Sequence, residues 1–225
     1  MSSPAPIRVL LIGNSHTHVN NVPALLQKVL VWGTGRPVTC LGCTTDSVSL
    51  QWHWNHHASR RALDAGPYDF VVLQDRSGAP LEDPHSTRTY AGLWCDAVKH
   101  HNAEPVLYMT WALADAPQTQ RQISMVYDEV AAAHGAHVAP VGLAWQRAGY
   151  MAHKPALYDP DGRHAAPAGS FLAAAVVAQT IAPDVSWRAL REPPPVFASL
   201  SPEQVLTLMS VAAQTILARL RPAGA

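Results

Sequence analysis

The sequence predicts an α/β protein, a three-layer α/β/α sandwich around a mostly parallel five-stranded sheet. Three observations predict it. Short apolar runs recur along the chain with helix-sized stretches between them. The runs are near-continuously apolar rather than alternating, as in strands buried on both faces by crossover helices. Residues able to do chemistry collect just after the runs, where an open parallel sheet places its ligands.

The expected strands are IRVLLI (7–12), VTCLGC (38–43), DFVVLQ (69–74), PVLYMT (105–110) and HVAPVG (137–142), and the helices between them fall near 20–32, 84–102, 117–134 and 169–182. The last helix has the clearest start. Ser201 with Gln204 makes a capping box and Pro202 stands at the first helical position. Val205, Leu208, Met209, Ala212, Ile216 and Leu220 then form one apolar stripe that reads as core packing. REPPPV (191–196) is a connector ahead of it. No internal repeat or low-complexity tract interrupts the pattern.

At 225 residues the chain fits a single domain, 1–225, with core enough to need no disulfide or metal staple. Sixteen basic residues balance sixteen acidic ones and only 14% of the chain is charged, so no basic field is available for nucleic acid or an anionic membrane surface. A small neutral substrate suits this balance. The opening MSSPAPIRVLLIG has no basic region before its short apolar run and reads as a first strand rather than a signal peptide. No run approaches the roughly 20 apolar residues that span a bilayer, and a cytoplasmic location is expected. Three cysteines, Cys40, Cys43 and Cys95, are an odd number and make no disulfide framework. Oligomeric state is not legible.

Directly after the first strand comes Gly13-Asn14-Ser15-His16-Thr17, which sets Ser15 at a strand-to-helix turn with its hydroxyl exposed and backbone N–H groups nearby. Far along the chain, Tyr158-Asp159-Pro160-Asp161-Gly162-Arg163-His164 puts an aspartate three residues before a histidine in a tight turn. There the Asp161 carboxylate can reach the near ring nitrogen of His164 and leave the far nitrogen free to take a proton. Either segment alone is a common surface turn. Together they make a triad in the order serine, aspartate, histidine.

The two segments resemble the first and last blocks of the SGNH/GDSL hydrolases: GNSHT stands where that family usually has GDS, and DGRHAAPAG carries its Asp-x-x-His. VVLQDRS (71–77) and YMTWA (108–112) are similar to a branch that reads GNS in the first block and VLQ at the third strand. The resemblance implies a flavodoxin-like hydrolase fold with Ser15 as nucleophile, His164 as base and Asp161 as its orienting acid. It also implies an oxyanion hole made of the serine's own N–H, a glycine N–H from the second block and an asparagine amide from the third. Gln74 stands at the third-block position, and Asp46-Ser47-Val48-Ser49-Leu50 occupies the second, with the Ser47 backbone as donor in place of glycine. Asn14 replaces the usual aspartate.

A rival constellation is Cys40-x-x-Cys43 followed by His53 and His57, a zinc-like pattern with a short spacer. In a strand, residues three apart point to opposite faces and cannot grip one ion, so no metal is expected. The segment HWNHH (53–57), with Trp52 and Trp54, is either one wall of the substrate pocket or the edge of a helix start. His16 and His18 flank the nucleophile without an orienting acid in the sequence, which leaves His16 as a substrate contact.

The resulting expectation is a cofactor-free serine esterase acting on short acyl groups, acetyl above all, through two-step acyl transfer. Asn14, His16, Trp54 and Trp111 are the expected substrate contacts, with a sugar alcohol stacking on Trp52, Trp54 or Trp111. The alternative is a carbohydrate-binding protein on the same fold whose oxyanion hole has decayed, a reading that rests on the missing second-block glycine.

Overall fold

The structure is a computed structural model that describes residues 4–153, 155–190, 192–194 and 199–220. Five strands form one sheet: β1 (Ile7–Gly13), β2 (Val38–Thr44), β3 (Phe70–Leu73), β4 (Glu104–Tyr108) and β5 (His137–Ala139). All pairings are parallel and the order is β2-β1-β3-β4-β5. Every strand therefore ends on the same edge.

Alternation along β1 explains the three layers. Val9 and Leu11 face one core, which holds α2 (Val22–Thr34), α8 (Val141–Gly149), α9 (Pro167–Ile181) and α10 (Pro202–Leu220). Leu10 and Ile12 face the other, which holds α3 (Leu50–Asn55), α4 (His57–Asp64), the short α5 (Ala79–Glu82), α6 (Pro84–His100) and α7 (Gln120–His134). A strand apolar at every position is buried on both sides, which is the pattern the apolar runs carry. Nearly all of α9 is buried, and its run of alanines lets α2, α8 and α10 pack closely around it.

Two departures have local causes. The run 137–142 yields a strand of three residues, because Pro140 has no N–H to give the ladder and instead precedes α8, a helix the periodicity hid inside an apolar run. HWNHH is split between α3 and α4 at His56, which is extended at φ −111°, ψ 127°. Of the connector at 191–196, Arg191, Pro195 and Val196 lie outside the described residues. The capping box of α10 forms as written, with Gln204 N–H donating to Ser201 Oγ and Ser201 N–H to Gln204 Oε1. No helix among the described residues is long and apolar enough to cross a membrane.

Candidate active site

β1 runs into a single helical turn, α1 (Ser15–His18), at the carboxyl edge of the sheet. Gly13 is required there by close approach: a Cβ would lie 2.5 Å from Thr17 Oγ1 and 2.6 Å from Gln74 Oε1. Asn14 caps the turn by accepting from His16 N–H at 3.1 Å, and its amide donates to the Val48 carbonyl at 2.9 Å. Its carboxamide thus needs both a donor and an acceptor end, which an aspartate would lack. Ser15 is left at the first helical position, its backbone N–H without a partner among the described residues.

The second segment folds as a tight loop closed by the Tyr158–Ala165 bridge and by Gly162 at φ +66°, the left-handed region glycine enters freely. Asp161 Oδ1 accepts both the Arg163 and His164 backbone N–H groups at 2.9 Å, while Oδ2 accepts the His164 Nδ1–H at 2.6 Å. The imidazole first, then those N–H groups, hold the Asp161 carboxyl far below the usual carboxylate range. With Nδ1 carrying the proton, Nε2 is the acceptor, and Ser15 Oγ stands 3.1 Å from it. The three residues are thereby brought into one line across a sequence separation of 149.

Asn20, which the sequence suggests only as a helix start, ties the two segments together. Its amide donates to the Ala165 carbonyl at 2.8 Å and to Ser170 Oγ at 3.0 Å, from a left-handed backbone at φ 54°. The histidine loop is held from the other side as well, by Trp111 Nε1–H on the Arg163 carbonyl and the Ala114 N–H on the Gly162 carbonyl.

Ser47 lies on the pocket wall in the left-handed conformation, φ 59°, that the absent glycine would adopt easily. Its N–H has no partner among the described residues. The loop is clamped into that shape by Thr45 N–H on the Gly13 carbonyl, by Asn14 on Val48, and by the buried Asp75, whose Oδ1 accepts the Leu50 N–H at 2.9 Å. Asp75 also accepts from Thr87 Oγ1 and the Arg76 N–H, and nothing in the sequence distinguishes it from an ordinary strand-end aspartate.

Gln74 departs from expectation. It is fully buried, its Oε1 accepts from Asn14 N–H at 2.9 Å and Thr17 Oγ1 at 2.8 Å, and its amide donates to the Asp75 carbonyl. β3 ends one residue before it, so its arm runs beneath the Ser15 turn instead of into the pocket. In this arrangement it braces the Ser15 turn and is not among the residues that line the pocket. Gln74→Ala strips the acceptor from two buried donors, and each unmet donor costs about 1–3 kcal/mol. A markedly lower Tm is the expected outcome for Gln74→Ala, with activity lost in step. An unchanged Tm with a lower kcat would return Gln74 to the oxyanion hole.

His16 is buried beside the nucleophile, its ring 4.6 Å from that of Trp111 and 5.5 Å from that of His164. Burial first, then the His164 and Arg163 charges, push it from 6.5 down to about 4, and its Nε2 has no partner among the described residues. It is neutral at pH 7. Because the unfolded chain binds the proton more readily, stability is complete above pH 6.5 and falls as the pH drops towards 4. Such a shift corresponds to about 3 kcal/mol over that window. Denaturant melts from pH 7 to 4 should show this slope in the native protein and a shallower one in His16→Phe.

Of Trp52, Trp54 and Trp111, only Trp111 lines the pocket. Trp111 lines the pocket but is covered on its faces by Trp145, stacked at 4.0 Å, and by His16. Trp54 packs edge-on against Trp94 under Arg60 and away from the pocket, and Trp52 stacks on His56 at 3.7 Å. The zinc-like set is dispersed too. Cys40 packs against the α2 core and Cys43 against the opposite one. His53 is spent as a brace, with Nε2–H donating to the Gly13 carbonyl at 2.8 Å and Nδ1 accepting from Ser59 at 2.6 Å. His57 is exposed. His18 pairs with Asp46 at 3.1 Å on the rim.

Around Ser15 and His164 lies a cavity of about 320 Å³, walled by Ser47, Leu81, Trp111 and Ile123, with Arg76, Glu82 and Arg163 at its polar side.

No family model matches the sequence, and no curated protein matches it. Solved structures do. A proposed SGNH hydrolase from Slackia heliotrinireducens is 28% identical at a TM-score of 0.68, covering 79% of this chain and 100% of its own. A DUF4886 family protein from Bacteroides uniformis is 17% identical at a TM-score of 0.77, covering 96% and 97%. An acetyl xylan esterase, AlAXEase, is 14% identical at a TM-score of 0.59, covering 76% and 98%.

Proposed function

We propose, for a chain whose fold is that of the SGNH/GDSL hydrolase superfamily, a serine esterase that hydrolyses short-chain acyl esters through Ser15, His164 and Asp161. The observation that carries this reading is the line from Ser15 Oγ to His164 Nε2 at 3.1 Å and from His164 Nδ1 to Asp161 at 2.6 Å, opening on a pocket. His164 takes the Ser15 proton as Oγ attacks the ester carbonyl carbon, and the carbonyl oxygen becomes an oxyanion. The Ser15 and Ser47 N–H groups, free and at the pocket, are its donors. As the tetrahedral species collapses, the alkoxy C–O bond breaks and His164 gives its proton to the departing alcohol. Water then repeats the cycle on the acyl-enzyme and releases the acid.

A cavity of about 320 Å³ supports acetyl and similar acyl groups over fatty chains. The left-handed Ser47 supports a working second-block donor and so favours the esterase over a decayed, carbohydrate-binding protein. Hydrolysis of p-nitrophenyl acetate and stoichiometric fluorophosphonate labelling of Ser15 are the expected results. A folded protein that does neither would overturn the esterase reading.

A further inference from the structure

The pocket carries more cationic chemistry than a neutral ester requires. Arg76 is matched, with its Nη2 on Glu82 Oε2 at 2.5 Å. Arg163 is not. Its backbone is fixed at both ends, N–H on Asp161 Oδ1 and carbonyl under Trp111 Nε1, while its exposed side chain makes no ion pair or hydrogen bond among the described residues. Arg163 lies on the pocket wall with His16, His164 and Glu82, and its charge is felt by both His16 and Glu82.

Among the described residues no carboxylate forms an ion pair with Arg163, although Glu82 feels its charge. Glu82 is engaged by Arg76, and Asp46 across the rim by His18. Asp161 is the closest carboxylate in sequence, but its oxygens face the His164 ring and two backbone N–H groups.

The reaction geometry says which half of a substrate meets Arg163. The carbonyl oxygen must lie towards the Ser15 and Ser47 N–H groups, and the departing alcohol oxygen must take its proton from His164 Nε2. The alcohol part therefore leaves along the side of His164, where Arg163 is the next residue. We infer that the preferred ester bears an anionic group, a carboxylate in the first instance, on its alcohol part, held by the Arg163 guanidinium. This rests on the esterase reading.

The test compares 4-acetoxybenzoate with its methyl ester, an anionic and a neutral alcohol part on the same acetyl group. A second pair, mono-4-nitrophenyl succinate and 4-nitrophenyl butyrate, places the charge on the acyl side. Wild-type protein should prefer 4-acetoxybenzoate. In folded Arg163→Gln that preference ratio in kcat/KM should fall roughly tenfold to a hundredfold, the range for losing a hydrogen bond to a charged group. The change should lie mainly in KM, and Arg163→Lys should recover part of it. An equal ratio in wild type and Arg163→Gln would overturn the inference, as would an Arg163-dependent preference confined to the succinyl ester. If neither acetyl ester is turned over and Ser15 resists fluorophosphonate, the esterase reading itself fails. Turnover and labelling without any charge preference sink only the anion inference.

Discussion

Ser15→Ala is expected to remove nearly all ester hydrolysis, a loss of order 10⁴ to 10⁶ in kcat if the residue acts as nucleophiles do in comparable triads. The substitution deletes one atom from a half-buried turn residue whose backbone is held by its neighbours, so the fold should not register it. The Asn14 cap, the Gln74 brace beneath and the His53 brace on the Gly13 carbonyl all remain. Tm should stay within experimental error of wild type while kcat collapses, and fluorophosphonate labelling should vanish. More than a few per cent of wild-type kcat, in protein free of wild-type carry-over, would remove Ser15 from the nucleophile role. Chemistry in the pocket would then have to run through water activated by His164.

His164→Ala should be about as damaging, because a serine hydroxyl without a base is a weak nucleophile at neutral pH. The two Asp161 variants separate the roles further. In Asp161→Asn, Oδ1 can still accept the Arg163 and His164 N–H groups, which places the amide NH₂ where Oδ2 met the imidazole. A donor facing Nδ1 drives the proton to Nε2, the wrong tautomer for taking the Ser15 proton, and a loss of about 10⁴ in kcat follows from that logic. Asp161→Ala should be milder. Asp161 is exposed, so water can accept the Nδ1–H and the working tautomer survives, although the ring is less well aimed. The expected order of remaining kcat is wild type, Asp161→Ala, Asp161→Asn, His164→Ala. Asp161→Asn at the wild-type rate would show that the carboxylate does not set the tautomer, and His164→Ala at that rate would turn attention to His16.

What the sequence determined by itself was whatever depends on near neighbours. Near-continuously apolar strands specify burial on two faces, so the parallel sheet and its three layers were legible in five short runs, although the edge strand β2 is only partly covered. The Asp161–His164 pairing was legible because three residues of tight turn leave a carboxylate and an imidazole little else to reach. The failures of local reading were short too. Pro140 cut the fifth strand where the apolar run continued, because a missing N–H outweighs hydrophobicity at a helix start.

Only the tertiary structure decided how side chains at the sheet edge are aimed. Gln74 has the right chemistry for an oxyanion donor, but it sits where two buried donors of the Ser15 turn need an acceptor, and meeting that need outweighs reaching the pocket. The sequence puts Ser47 in glycine's place, but the left-handed shape of its loop comes from Thr45, Asn14 and Asp75, which tie it to distant elements. Trp111 is buried under a partner far along the chain, Trp145, and the half-buried Trp54 is turned onto Trp94. Arg163 and Asn20 look ordinary in sequence and gain meaning only beside His16, Glu82, Ala165 and Ser170. Local pattern reports which groups are present, whereas their direction is settled by distant residues competing for the same hydrogen bonds and the same space.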